Sequence, residues 1–257
     1  MPELPDIEVF AFNMKKLFAG KKLLKINVLV FKRIKDTQEE LSELEGSKLE
    51  DVYRSGKEFR FKFSNGVILG MHLMLTGDIF PFEGKNEQKF TIVELEFEGH
   101  KGFALTDRMK NAFVKLNPED KDGVDAMSPG LNFKYLRSIC ARKTPIKTIM
   151  LDQNLIRGIG NGYSDEILWE AKISPYSHAD AIPDDKLKEL VKTIKKVLKT
   201  STEKILKAYP GLITGEVKEF HKIHQRERKE SPTGAEIKID KSGARKTYYT
   251  DEQVLYK

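Results

Sequence analysis

Residues 151–175 read LDQNLIRGIGNGYSDEILWEAKISP, and this stretch holds the most informative turn in the chain. Three glycines and Asn161 lie between two segments whose apolar residues recur at helical spacing. Because glycine has no Cβ, the backbone of this turn can approach a ligand closely. A helix that begins at Asn161 or just after it would aim free N–H groups, and the positive end of its dipole, at an anion. A tight connection between two helices is the alternative interpretation.

The residues before this turn predict a β-rich sandwich or barrel behind one helix. Residues 5–18 carry apolar side chains at helical spacing, and Gly20 follows them as a helix terminator. From there to about residue 113 the pattern changes to short strands. Asn65-Gly66 predicts a hairpin turn between EFRFKF and VILGMHLML.

The remainder of the chain predicts a linker, a helical region and a terminal hairpin. Residues 117–130 are acidic and rich in turn formers, which is typical of a linker. Residues 133–206 have helical periodicity, with lysines opposite the apolar face of the last long helix. The final forty residues are polar and basic, and AEIKI and KTYYT predict two short strands around a turn.

The positive charge is concentrated in the second half of the chain. The 257 residues have a net charge of +6, but residues 134–257 contain 25 lysines and arginines against 17 acids. Residues 1–133 contain 20 bases and 22 acids. Such asymmetry is typical of a protein that binds a polyanion, although scattered surface lysines give the same count.

The composition predicts an intracellular protein. Cys140 is the only cysteine, so neither an internal disulfide nor a cysteine-based metal cluster can form. No apolar run approaches the roughly 20 residues of a membrane span, and acids stand where a secretory signal has bases. We therefore expect no membrane association.

Three motifs together resemble the formamidopyrimidine-DNA glycosylase / endonuclease VIII family. They are PELPDIE at residues 2–8, Gly56-Lys57, and the stretch at 151–175. The resemblance implies a bifunctional DNA glycosylase and abasic-site lyase of base excision repair, acting as a monomer on damaged double-stranded DNA without a cofactor. It implies an α+β fold with four regions: an N-terminal catalytic β-sandwich domain (1–116), a linker (117–132), a helix–two-turn–helix domain (133–215) and a zincless-finger β-hairpin (216–257).

The resemblance assigns the chemistry to the N-terminal residues. In the family the initiator Met is removed and the exposed nitrogen of Pro2 is the nucleophile. A terminal amine has a pKa nearer neutrality than that of lysine, so a usable fraction is unprotonated. The nitrogen attacks C1′, expels the base and forms an iminium ion that permits β,δ-elimination. Glu3 would transfer protons on the sugar. Without the resemblance, Pro5 and the acids would simply begin a helix.

The resemblance also assigns DNA contacts. Lys57 would contact a phosphate beside the lesion and assist catalysis. Without the resemblance, a surface lysine that flanks a strand is the preferred interpretation. Lys147 and Asn161 match phosphate-binding positions, and Glu166 falls where the family has an acid near the active site. Arg245 matches the finger arginine that inserts toward the DNA backbone.

Two departures from the bacterial pattern are evident. The family's usual zinc ligands are replaced by Glu230, Thr233, Thr250 and Gln253, so we expect no metal. In the 8-oxoguanine enzymes of the family, a methionine, an arginine and a phenylalanine fill the gap left by an everted nucleotide. The corresponding positions here fall at or near Leu75, Met109 and Asn111. Of these, only Leu75 is expected to act as a wedge. The segment after Leu206 is also shorter than the loop that closes over 8-oxoguanine. Damaged-DNA binding without catalysis, or mainly abasic-site lyase activity, are therefore the alternative functions.

Overall fold

The computed structural model describes residues 1–241, 243 and 245–257. The helices are α1 (Leu4–Phe18), α2 (Gln38–Ser42), α3 (Phe133–Ile139), α4 (Ile146–Leu151), α5 (Asn161–Glu170) and α6 (Asp184–Ala208), with a 3₁₀ turn at Ala179–Ala181. The strands are β1 (Leu23–Val28), β2 (Leu49–Ser55), β3 (Glu58–Phe63), β4 (Ile68–His72), β5 (Asp78–Glu83), β6 (Thr91–Phe97), β7 (Lys101–Thr106), β8 (Phe113–Leu116), β9 (Val124–Asp125), β10 (Ile156–Arg157), β11 (Lys238–Asp240) and β12 (Thr247–Tyr249). None of the helices in this described part of the chain is both long and apolar enough to cross a bilayer.

The chain divides into two units. Unit 1 comprises residues 1–120 and 206–216, and unit 2 comprises residues 121–205 and 217–257. Residues 206–215, predicted as the end of the helical domain, and Glu216, predicted as the start of the finger, thus belong to unit 1 by their contacts. Residues 117–132, expected as a linker, include β9, which pairs in parallel with β10.

Unit 1 is built on two four-stranded antiparallel sheets. Their strand orders are β1-β6-β7-β5 and β2-β3-β4-β8. Alternate residues of β3 point inward, so that Phe61 is fully buried and stacks on Phe103 of the other sheet with ring centroids 5.4 Å apart. Phe18, near the end of α1, packs on the same Phe103. This packing of two sheets and one helix confirms the predicted α+β sandwich.

The Asn65-Gly66 hairpin forms as predicted, but the following strand is shorter than expected. Gly66 has φ +85°, and the N–H of Phe63 donates to the Val67 carbonyl at 2.9 Å. Strand β4 ends at His72 instead of continuing to Leu75, because Met74 adopts φ +57° and turns the chain away from the sheet. The change places Leu75 on an exposed turn.

Unit 2 contains the predicted helices and the terminal hairpin. Helices α4 and α5 flank the glycine-rich turn, and β11 pairs antiparallel with β12. Trp169 of α5 forms a small core with residues of the finger, namely Ile223, Ile237 and Tyr248. The hairpin is therefore attached to α5 by apolar packing.

Candidate active site and nucleic-acid interface

Pro2 and Glu3 lie at the start of α1, and both are buried. The Glu3 side chain accepts the backbone N–H of Asp6, and the Glu3 N–H donates to Asp6 Oδ2 at 3.0 Å. This reciprocal capping box satisfies two N–H groups that the helix leaves without partners. It also fixes the Glu3 carboxylate beside the first residues of the chain.

The terminal amine contacts a residue that the sequence analysis missed. The ammonium of Met1 lies 3.1 Å from Glu216 Oε2. Asp78 holds the neighbouring chain in place, since its Oδ1 accepts from Thr214 Oγ1 and from the Gly215 N–H. These residues are far apart in sequence and match no local motif, so no sequence signal could have identified Glu216.

Lys57 lies on the turn between β2 and β3, and 9% of its surface is exposed. The neighbouring Arg54 donates from Nε to Glu8 Oε2 at 2.7 Å and from a terminal nitrogen to the Gly56 carbonyl at 2.9 Å. One guanidinium thus joins α1 to the turn that carries Lys57. Within unit 1, the structure therefore ties together the two elements that carry Pro2, Glu3 and Lys57.

Leu75 is 63% exposed, and a neighbouring loop stands beside it. Asp107 is buried, and its carboxylate accepts from the Thr76 hydroxyl and from the backbone N–H groups of Met109, Asn111 and Ala112. Burial alone would raise the pKa of Asp107, but these hydrogen bonds hold it below its ordinary value. The carboxylate thereby joins the turn of Leu75 to the loop of Met109 and Asn111.

In unit 2, Lys147 and Asn161 converge on one carbonyl. Asn161 is the first residue of α5, and its Nδ2 donates to the Lys246 carbonyl at 2.9 Å. Lys147 Nζ reaches the same carbonyl at 3.5 Å and the Thr247 hydroxyl at 2.9 Å. Arg245, which is exposed, directly precedes this anchored carbonyl. The structure thus brings together three of the residues that were predicted to bind DNA.

The charge of Lys147 is already paired. Its Nζ lies 2.6 Å from Asp165 Oδ1, and the side chains of both residues are buried. Asp165 Oδ2 in turn accepts the Tyr248 N–H at 3.0 Å and lies 2.7 Å from His224 Nδ1. Lys147 therefore stabilises the start of β12, and its predicted contact with a phosphate stays a prediction.

Glu166 holds a loop of unit 2 through backbone hydrogen bonds. Its carboxylate accepts the backbone N–H groups of Lys222, Ile223 and His224 at 2.7–2.8 Å. An anion with three such donors is fully engaged, and it would repel a phosphate. These bonds give Glu166 a structural role in holding the loop, and its contact with DNA stays a prediction.

The finger is organised around a carboxylate that the sequence analysis missed. Glu252 accepts from Trp169 Nε1, Lys172 Nζ and the hydroxyls of Thr233 and Thr250, at 2.9–3.1 Å. The Lys172 hydrogen bond, with those of the other donors, lowers the pKa of Glu252 to about 2.

Two of these donors, Thr233 and Thr250, stand at zinc-ligand spacing in the sequence. Threonine hydroxyls that donate to a carboxylate do not fit a structural zinc centre, which is built from thiolate and imidazole ligands. Within the described ranges, no group of three or more histidine, cysteine or acidic side chains is arranged to hold a metal.

Comparisons with known proteins identify the family. The sequence model of the formamidopyrimidine-DNA glycosylase N-terminal domain matches residues 1–113, and that of the formamidopyrimidine-DNA glycosylase H2TH domain matches residues 123–208. Formamidopyrimidine-DNA glycosylases of Mycoplasma mobile and Lactobacillus gasseri are each 30% identical to the chain, over 97% and 100% of both sequences. The chain belongs to the formamidopyrimidine-DNA glycosylase family, as its motifs predicted.

Solved structures share the fold. The Lactococcus lactis enzyme in complex with DNA that contains an abasic site is 22% identical, with a TM-score of 0.86 over 98% of this chain and 99% of that one. The same enzyme bound to DNA that contains FAPY-dG gives 23% identity and the same TM-score and coverage. These likenesses confirm the predicted arrangement of a sheet domain, a helix–two-turn–helix domain and a terminal hairpin.

Proposed function

We propose that the protein is a DNA glycosylase of base excision repair with abasic-site lyase activity, acting as a monomer on damaged double-stranded DNA. The observation that carries this proposal is the buried start of α1, where Glu3 is held by its capping box and Arg54 ties the helix to the turn of Lys57. The family relationship supplies the class of reaction. The proposed compartment is the one that holds the DNA, either bacterial cytoplasm and nucleoid or eukaryotic nucleus.

The proposed nucleophile is the nitrogen of Pro2 after removal of Met1. A Pro2 nitrogen acylated by Met1 is an amide and cannot attack, whereas the free secondary amine has an available lone pair. It would form a bond to C1′ of the damaged nucleotide while the bond from C1′ to the base breaks. The departing base takes the electron pair of that bond, and the proton lost from the Pro2 nitrogen neutralises it. Opening of the sugar ring then gives an iminium ion, with a proton delivered to the ring oxygen by Glu3.

The iminium ion would act as the electron sink for strand cleavage. Loss of a proton from C2′ expels the 3′ phosphate, and a second elimination expels the 5′ phosphate. Water then hydrolyses the iminium and restores the amine. Lys57 would stabilise the charge of the phosphate beside the lesion, because an ammonium held on a rigid turn requires little reorganisation.

Unit 2 would bind the DNA backbone. Arg245 is the proposed phosphate contact at the hairpin tip, with Lys147 and Asn161 holding the Lys246 carbonyl behind it. One N–H of the Asn161 amide remains after its bond to Lys246, and it would donate to a phosphate oxygen. A phosphate at this point would be recognised by position and charge without reference to sequence.

Borohydride trapping tests the proposal. Protein of verified mass, lacking Met1, is incubated with an abasic duplex and sodium borohydride, which reduces the iminium to a stable covalent adduct. We expect an adduct with the wild type, a sharp loss with Pro2→Gly, and loss of base excision with Glu3→Gln while duplex binding is disturbed less. No adduct on any abasic duplex would contradict the lyase assignment and favour a damage-binding protein. An adduct without excision of any damaged base would favour a lyase of abasic sites.

A further inference from the structure

Helix α6 carries a row of lysines along one face. Lys188, Lys192, Lys195 and Lys199 follow one another at intervals of four, three and four residues, and we call them the lysine row. With about 3.6 residues per turn and about 1.5 Å of rise per residue, the four positions fall within an arc of about 60° and extend over about 17 Å. The side chains of α6 that pack into unit 2 lie on the other side of the helix and include Leu187, Leu190, Ile194, Leu198 and Ile205. The lysine row therefore faces away from that core.

The positive charge of the lysine row is almost uncompensated. Lys199 lies 4.0 Å from Glu203, and the other three members form none of the ion pairs found in the described part of the chain. Lys188 Nζ lies 4.9 Å from the centroid of the Phe133 ring, a contact that leaves its charge in place. Residues 190–202 contain four lysines and no acid. Because like charges three or four residues apart destabilise a helix, a polyanion bound along the row would relieve their repulsion.

Two other lysines of α6 are paired with acids. Lys186 pairs with Glu189 at 2.8 Å, and Lys196 pairs with Glu170 of α5 at 3.0 Å. Lys196 lies to one side of the lysine row, and its pair marks the side of α6 that meets α5. The proposed phosphate contacts begin at the other end of α5, at Asn161. The lysine row is thus a second basic surface of unit 2, separate from those contacts.

We propose that the lysine row binds the phosphate backbone of a second DNA duplex, distinct from the duplex that carries the lesion. Duplex DNA presents one negative charge per about 1.7 Å of its axis, which gives about five phosphates of each strand over the roughly 17 Å of the row. The four lysines match the phosphates of one strand in number and spacing. Such contacts depend on charge and position and are independent of the base sequence. A protein that holds two duplexes would pass from one to the other without dissociating into solution.

An anionic membrane surface fits the lysine row less well than DNA does. Helices that lie on a membrane bury an apolar face in it beside their basic residues. The apolar face of α6 is already buried in unit 2, and none of the large apolar side chains that are exposed in the described residues belongs to this helix. The row therefore offers charge alone, which suits a polymer with phosphates at regular intervals.

The affinity for the second duplex is measured with the proposed active site already occupied. Protein trapped on a short abasic duplex with borohydride is titrated with a labelled, undamaged duplex, and fluorescence anisotropy is recorded between about 50 and 200 mM salt. Each phosphate that a lysine neutralises contributes about −0.9 to the slope of log K against log salt concentration. We expect a slope of about −3.6 for the wild type and about −0.9 for the triple variant Lys188→Gln, Lys192→Gln, Lys195→Gln.

A second triple variant provides the matched control. Lys15→Gln, Lys62→Gln and Lys101→Gln together remove three exposed lysines that are each paired with an acid, and they should leave the slope unchanged. Thermal melting establishes that both variants are folded. The variant of the lysine row should melt no lower than the wild type, because it removes repulsion between like charges on α6.

The outcomes separate this inference from the proposed function. A wild type that forms no adduct would contradict the proposed function, and the free protein should then still bind two undamaged duplexes per molecule and the variant of the lysine row only one. The inference is overturned if no second duplex binds, to the adduct or in that case to the free protein, or if the two triple variants give equal slopes. Loss of binding to phosphatidylserine vesicles in the variant of the lysine row, with duplex binding unchanged, would assign the row to a membrane surface and also overturn it.

Discussion

Arg54 Nε lies 2.7 Å from Glu8 Oε2, and this ion pair fastens helix α1 to the strand that leads into the turn of Lys57. The Arg54 side chain is 6% exposed, so its donors have little access to water. It thereby links helix α1, which begins two residues after the proposed nucleophile Pro2, to the turn of Lys57, the proposed phosphate-binding lysine. We therefore expect the position of Lys57 relative to α1 to depend on this ion pair.

Arg54→Met is expected to destabilise the protein by about 1–3 kcal/mol, because the Gly56 carbonyl and the Glu8 carboxylate lose a charged donor. We also expect slower trapping on abasic DNA, as the turn of Lys57 loses its attachment. Lys15→Met is the matched control, since the Lys15–Asp51 pair joins the same helix and strand but is exposed. It should cost less than about 1 kcal/mol. Equal effects in urea unfolding and trapping would show that Arg54 has no special role.

Glu252→Gln should lower the melting temperature at neutral pH, and the difference from wild type should shrink in acid. The folded state holds the pKa of Glu252 at about 2, below its ordinary value of 4.5. Its stabilising contribution is therefore complete above pH 4.5 and is lost as the pH falls towards 2. Calorimetry at pH 7, 5 and 3 measures this dependence. Asp251→Asn is the control, because the pair of Asp251 with Lys238 is exposed. A difference in melting temperature between Glu252→Gln and wild type that stays constant from pH 7 to pH 3 would contradict the prediction.

Arg245→Ala should weaken binding to a duplex with a stable abasic-site analogue by about 1–3 kcal/mol, through loss of a charge-assisted bond to phosphate. Lys238→Ala provides the control on the same hairpin, because Lys238 is already paired with Asp251. Fluorescence anisotropy at fixed salt compares the two variants. Similar losses of affinity in the two variants would mean that Arg245 contributes only its positive charge and makes no specific contact with a phosphate.

Chelation should leave folding and activity unchanged. Residues 216–257 contain no cysteine, and hydroxyls donate to Glu252 at two of the positions where zinc ligands would stand. Dialysis against EDTA followed by a melting curve and a trapping assay tests this expectation. Stoichiometric zinc in the purified protein, measured by mass spectrometry, would contradict it.

8-Oxoguanine opposite cytosine should be excised more slowly than lesions that pair weakly, such as ring-opened purines or saturated pyrimidines. Met109 and Asn111 stand where the family's 8-oxoguanine enzymes have an arginine and a phenylalanine. Met109 cannot hydrogen-bond an unpaired base as that arginine does, and Asn111 is too small to stack on it as that phenylalanine does. Eversion costs least where pairing is already lost. Single-turnover rates on matched duplexes measure the preference. If 8-oxoguanine is processed as fast as an abasic site, the replacement of the arginine and phenylalanine by Met109 and Asn111 does not slow excision.

Local sequence signals predicted the parts of the fold that short-range geometry determines. Pro5 and the acids around it begin α1, and Asn65-Gly66 closes a hairpin, because both depend on backbone preferences within a few residues. The motif at 151–175 predicted that α5 begins at Asn161. These features needed no knowledge of distant residues.

The carboxylates that organise each site could not be predicted in the same way. Asp107 binds Thr76 across 31 positions, Glu252 binds Trp169 across 83, and Glu216 meets the terminal amine across 215. An acid in a sequence has no pattern that distinguishes a buried acceptor of several hydrogen bonds from a solvated charge. The same limit explains Glu166, whose three backbone donors come from more than fifty residues away.

The use of the Glu252 carboxylate in place of a zinc centre changes how the finger responds to oxidants. Thiolates that bind zinc are oxidised by peroxide, which ejects the metal and unfolds the finger. A finger held by hydroxyl and ammonium groups around Glu252 offers no sulfur to oxidants. The single cysteine, Cys140, is fully buried, and burial raises the pKa of its thiol to about 12, so the reactive thiolate does not form. DNA binding by such a finger would therefore persist in the presence of the oxidants that damage DNA bases.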